Sequence, residues 1–151
     1  MNRFVSLALV GLGFSLAACS SFERDWRRGA TAPKGDAFSG AWEGKWTSAK
    51  HRNASGRLRC LLTKVDERRY QARFRANWLV FTSGYTVMLE TQQRAGILHF
   101  KGAHDLGAMF GGIYRYEGQA TPSDFRAQYD SSYDTGTFAM SRRLTEAAAI
   151  P

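Results

Sequence analysis

Tyr70-Gln71-Ala72-Arg73-Phe74-Arg75-Ala76-Asn77 is the stretch that decides the fold. Apolar or small side chains (Tyr70, Ala72, Phe74, Ala76) alternate strictly with polar ones (Gln71, Arg73, Arg75, Asn77). Successive side chains of an extended strand point to opposite faces, so this segment puts its rings on one side and its guanidinium groups on the other. A helix would scatter both kinds around its circumference. The same two-residue period recurs at 42–47, 58–63, 85–90, 98–102, 112–119, 125–130 and 136–142. That makes eight half-apolar strands. Between them lie turn-forming runs, among them Asp66-Glu67-Arg68, Arg94-Ala95-Gly96, Thr121-Pro122-Ser123 and Ser131-Ser132.

Short links of this kind pair neighbouring strands antiparallel. No apolar helical stripe separates them, which argues against parallel strand–helix–strand units. Closing an eight-stranded sheet on itself removes its two edges. Glycines 44, 102, 112, 118 and 136 on the apolar face allow a tight bend and leave room for rings opposite. The predicted fold is therefore an all-β, antiparallel, eight-stranded up-and-down barrel. A β-sandwich shares the periodicity and is the alternative. A membrane-spanning barrel shares it too, but that would drive Arg57, Arg59, Arg73, Arg75, Arg115 and Arg126 into a narrow lumen.

Gly40-Ala41-Trp42 on the first strand and Arg142 on the last resemble the Gly-x-Trp and closing arginine of lipocalin-like (calycin) barrels. The resemblance implies that Arg142 packs over Trp42 and seals one barrel end, with Arg143 as the other possible partner. Cation–π stacking of this kind contributes about 1–2 kcal/mol when desolvated.

The amino terminus carries a second signal. Arg3 precedes an uncharged, mostly apolar run at 4–18, too short to span a bilayer but of the length found in a signal peptide. It ends in Leu16-Ala17-Ala18-Cys19, which resembles the lipobox of bacterial lipoproteins at all four positions. The resemblance implies cleavage before Cys19, a palmitate-type acylated anchor there, and, with Ser20 next, an outer-membrane location facing the periplasm. Several acyl chains anchor stably where a single chain does not. The expected organisation is a signal peptide at 1–18, a flexible tether at 19–38, the barrel at 39–143 and a C-terminal tail at 144–151.

The chain has 151 residues and a formal net charge of +8, with 44% hydrophobic and 23% charged residues. That suits one globular domain and excludes a disordered chain. The basic excess would attract anionic lipid headgroups or cell-wall polymers; nucleic acid is not an expected partner for an exported chain. Two cysteines exclude a disulfide scaffold, and Cys60, flanked by Leu58 and Leu62, reads as a small buried hydrophobe.

Nothing in the sequence points to catalysis. His51, His99 and His104 lack the spacing of a metal site, and no nucleophile elbow or phosphate-binding loop occurs. No cofactor is expected. The candidate site is the inward face, where Trp42, Trp46, Tyr70, Tyr85, Tyr114, Tyr116 and Tyr129 would line a cup for a small apolar or amphipathic ligand. The competing reading is a filled core, since eight strands enclose just enough room for side chains. The functional expectation is thus a monomeric, membrane-anchored binding protein for a small ligand or an envelope protein. The alternative is a structural or assembly accessory protein with a filled barrel.

Overall fold

In the computed structural model, residues 21–29, 36–52, 54–78 and 81–143 are described. Eight strands follow in order: β1 (Gly40–Ser48), β2 (Ser55–Asp66), β3 (Arg69–Trp78), β4 (Phe81–Arg94), β5 (Ile97–Asp105), β6 (Ile113–Ala120), β7 (Asp124–Asp130) and β8 (Thr135–Arg142). Each pairs antiparallel with the next, and β8 pairs back onto β1, from Trp42 opposite Arg142 to Ser48 opposite Gly136. The sheet is a closed up-and-down barrel, and that last ladder excludes the sandwich. All eight predicted strands are present.

The alternation sets the burial. Tyr70, Ala72, Phe74 and Ala76 are buried while Arg73 and Arg75 lie on the outer wall. Phe125, Ala127 and Tyr129 repeat the pattern on β7. Rings inside and guanidinium groups outside are the inverse of a membrane-spanning barrel. Close packing needs the small residues: a Cβ at Gly118 would sit 2.7 Å from Ala127 Cα on the neighbouring strand. Of the glycines expected on the bending face, Gly112 instead belongs to the β5–β6 link.

Because every neighbour is antiparallel, the links fall alternately at two ends. The β2–β3, β4–β5 and β6–β7 links, the incoming residues 36–39 and the outgoing Arg143 share one end, here the Arg142 end. The β1–β2, β5–β6 and β7–β8 links share the other, here the Met109 end.

Of the stretch read as a flexible tether, 19–38, the structure describes residues 21–29 and 36–38, and their large apolar side chains are packed on the barrel. Residues 21–28 are helical (α1) and packed on the outer wall of the barrel. Phe22 and Trp26, one helical turn apart, are 4% and 3% exposed and pack with Ala41 and Leu61. Three wall arginines answer the two acids of α1. Glu23 accepts from Arg59 at 2.7 Å and Arg75 at 2.6 Å, and Asp25 accepts from Arg73 at 2.7 Å. The Arg59 guanidinium holds the Glu23 carboxyl below its ordinary range against a burial cost, and Arg75 adds to this. The Arg59 and Arg75 guanidinium groups also lie 5.4 and 5.1 Å from the centre of the Phe22 ring. These arginines, which the alternation left as a solvated face, are a docking platform.

Residues 36–38 are also no tether. Phe38 enters the core at 2% exposure, and Asp36 accepts the backbone N–H groups of Phe38 and Ser39 and the Ser39 hydroxyl. The stretch read as a signal peptide (1–18), Cys19 and the tail at 144–151 lie outside the described residues.

Candidate functional site

Seven inward aromatics form the candidate site, and the closed sheet divides them between the two ends. Trp42 and Tyr70 belong to the Arg142 end. Trp46, Tyr85, Tyr114, Tyr116 and Tyr129 fill the half nearer the Met109 end.

At the Arg142 end the guanidinium carbon of Arg142 lies 4.5 Å from the centre of the Trp42 ring. Its nitrogens donate to three carbonyls: Pro122 O at 2.7 Å, Ser39 O at 2.8 Å and Ala37 O. One side chain thus ties the incoming segment, the β6–β7 link and the first strand together. Trp42 Nε1 donates to Phe38 O at 3.0 Å, and the Tyr70 hydroxyl donates to Asp36 at 2.8 Å. Arg142, not Arg143, is the closing residue. Arg143 turns outward, 5.5 Å from the Trp26 ring of α1.

The rings of the other half interlock. Phe74 meets Tyr85, Tyr116 and Phe138 at centroid separations of 5.3, 6.2 and 5.5 Å. Tyr114 meets Tyr116 and Tyr129 at 6.5 and 6.1 Å. Trp46 stacks on Trp78 at 4.1 Å and donates Nε1 to Asn77 O. Tilted and offset pairs at these distances contribute about 0.5–1.5 kcal/mol each beyond area burial. Phe100 and Phe125, 4.7 Å apart, form a second group of rings with Trp42, 6.0 Å from Phe125, and both groups belong to one buried core.

Two of the inward tyrosine hydroxyls, those of Tyr70 and Tyr129, are committed to carboxylates of the protein. Tyr129 donates to Asp134 at 2.8 Å. Asp134 is fully buried, and it also accepts from Ser48 Oγ at 2.6 Å and from the Thr135 N–H at 2.8 Å. A buried carboxylate with several donors is satisfied; one with a donor removed is costly. Burial raises the pKa of Tyr85, Tyr116, Tyr70 and Tyr129 above the ordinary phenol range; Tyr116 adds to this at Tyr85, as Asp36 does at Tyr70 and Asp134 at Tyr129. Burial likewise pushes the Cys60 thiol up, so it is no nucleophile at neutral pH. His51 packs on Tyr133 at 5.2 Å, His104 stacks on Tyr85 at 6.0 Å, and His99 is exposed on the wall.

One seam interrupts the wall. The β4–β5 ladder runs from Arg94 opposite Ile97 to Leu89 opposite Gly102 and stops there. Phe81–Met88 of β4 therefore pairs with β3 alone, while Ala103–Asp105 of β5 pairs with β6 alone. Outside the barrel, a broad concavity of about 990 Å³ runs over β4 to β8, lined by Met88, Lys101, Arg115, Glu117, Gln128 and Thr137.

Sequence reasoning missed four structural contributors. Trp78 was legible, since it continues the inward parity of 70, 72, 74 and 76. Asp36, Phe38 and Asp134 stand in links, where no period marks them. Compared with protein-family models and with curated proteins, the sequence matches none of them.

Proposed function

We propose that the chain is a membrane-anchored lipoprotein of the bacterial cell envelope, held by acyl chains on Cys19 at the outer membrane and facing the periplasm. Its barrel works as a non-catalytic structural or assembly accessory, through its outer surface. The anchor rests on the apolar run at 4–18 and on Leu16-Ala17-Ala18-Cys19. The observation that carries the choice between cup and core is the single buried cluster inside the barrel, to which both groups of rings belong. Four of the seven inward residues, Trp42, Trp46, Tyr70 and Tyr129, spend their polar atoms on Phe38, Asn77, Asp36 and Asp134. Drug-sized ligands need several hundred Å³ lined by a few unspent polar groups, and the roomy concavity lies on the outer wall instead.

The ligand reading keeps one observation in its favour. The seam between β4 and β5 leaves half-buried Tyr85 beside an interrupted ladder, where a slender apolar molecule would enter.

Intact mass of the protein extracted from membranes tests the anchor. The expected species begins at Cys19 and carries diacylglyceryl and acyl mass. A chain beginning elsewhere, or an unmodified Cys19, overturns it.

A further inference from the structure

The exposed large apolar side chains are not spread evenly. Among the described residues, five of the seven sit at the Met109 end: Phe81 (73% exposed), Met109 (92%), Phe110 (69%), Ile113 and Tyr133. Of the other two, Val65 lies near the Arg142 end and Met88 on the wall. Single exposed apolar residues need no explanation, but a cluster at one pole does.

The display is built, not frayed. Met109 and Phe110 ride on a short 3-10 turn, Ala108–Phe110, between glycines with positive φ, Gly107 (86°) and Gly111 (97°). Asp105 accepts the Gly107 N–H at 2.8 Å, and Gly107 O accepts from Phe110 and Gly112 at 3.0 and 2.9 Å. Ser132 Oγ reaches across from the β7–β8 link and donates to Gly111 O at 3.0 Å. A side chain at Gly111 would strike Tyr133, with a Cβ 2.6 Å from Tyr133 Cβ. The turn is fixed at its base, and its two largest side chains, Met109 and Phe110, lie mostly in solvent.

Charge completes the surface. Lys50 and Arg52 stand exposed in the β1–β2 link, and Lys45 and Arg115 on the adjoining wall. Among the described residues none of these four meets a carboxylate in an ion pair, whereas Arg57 of the same wall is bonded to Glu43 at 2.7 Å. The exposed acids at this end are Asp105 and Asp130, and the Asp105 carboxylate is engaged by the turn.

We infer that the Met109 end is a membrane-docking surface: Phe81, Met109, Phe110, Ile113 and Tyr133 enter the interface of a bilayer whose anionic headgroups meet Lys50 and Arg52. Apolar side chains dip into the headgroup–acyl boundary while nearby cations hold the anionic surface. The docking surface rests on the rim and its cations, not on the proposed anchor.

The test uses the full chain on vesicles of phosphatidylethanolamine and phosphatidylglycerol with brominated acyl chains. A polarity-sensitive fluorophore is placed at Met109→Cys or, as the opposite-pole control, at Val65→Cys; Cys60 is buried and takes no label. Quenching at 109 and not at 65 is the expected result. Adding Lys50→Glu and Arg52→Glu should weaken the 109 signal at least about thirtyfold in lipid concentration, since two residues at roughly 1 kcal/mol each near the surface are lost. Vesicle flotation and intact mass read the anchor separately. An acylated, floating chain with an unquenched 109 label keeps the anchor and overturns the docking surface. A chain without acyl groups, labelled at 109 after Cys19→Ser removes its free thiol and still quenched there, keeps the docking surface and loses the anchor. Quenching at 65 instead of 109, or a stable dimer that shields 109 in vesicle-free buffer, overturns the docking surface.

Discussion

The two poles of the barrel solve opposite problems. At the Arg142 end, polar and charged groups are drawn inward and saturated. Arg142 lies over Trp42 and donates to three carbonyls, while Asp36 collects the Tyr70 and Ser39 hydroxyls and two backbone N–H groups. At the Met109 end, large apolar groups are pushed outward on hydrogen-bonded turns. A seal that satisfies every donor stabilises the fold; a rim that leaves apolar surface in water contributes nothing to it. Substitutions at the two poles should therefore separate stability from surface function.

The largest effect is expected at the seal. Trp42→Ala should lower unfolding free energy by about 3–5 kcal/mol in urea titration, since it removes a fully buried indole and orphans the Arg142 stack. Arg142→Ala should cost about 2–3 kcal/mol through lost stacking and three lost hydrogen bonds. An unchanged midpoint for either would show that Arg142 does not close the barrel.

Next comes the one deeply polar feature of the opposite half. Asp134→Ala leaves the Tyr129 hydroxyl, Ser48 hydroxyl and Thr135 N–H without their acceptor, and about 2–3 kcal/mol of destabilisation is expected. The Met109 pole thus has a structural residue too, but it lies beneath the rim and not on it.

Acid should act on the seal before the rim. Burial opposes ionisation of Asp36, but hydrogen bonds from Ser39, Phe38 and Tyr70 outweigh it and hold its pKa below the ordinary value. A carboxyl depressed in the folded state stabilises above its unfolded pKa of about 4, and that stabilisation is lost as pH falls through the folded value. Stability should decline below about pH 4, and Asp36→Asn should flatten that decline in a midpoint-against-pH series.

Smaller still is the α1 ion cluster. Glu23→Gln should cost about 1 kcal/mol or less, because its partners remain partly hydrated; proteolysis of the amino-terminal segment is the sensitive readout. Phe110→Asp at the rim should leave the unfolding midpoint within about 0.5 kcal/mol. A large loss there would make the rim a structural element and erase the contrast between the poles.

The contrast also marks what the sequence could convey. The barrel was legible because a two-residue period survives in every strand, and Tyr70 to Asn77 shows it without interruption. Arg142 was legible through a resemblance tying it to Trp42. Helix α1 was not, because eight helical residues carry only two buried rings, Phe22 and Trp26, too few to register as a stripe. Its signal was the charge pairing: Glu23 and Asp25 in a basic protein whose strands present Arg59, Arg73 and Arg75 on one face. The rim was hidden for a different reason. Met109 and Phe110 sit between glycines in the β5–β6 link, and a link gives no period from which exposure can be inferred.

Native mass spectrometry of the membrane-extracted protein tests the filled barrel most directly. Rings that occupy their own lumen predict the mass of the chain with its covalent acyl groups and nothing more. A small molecule retained at one-to-one stoichiometry, and lost when Tyr116→Ala or Phe74→Ala opens the core, would contradict the account.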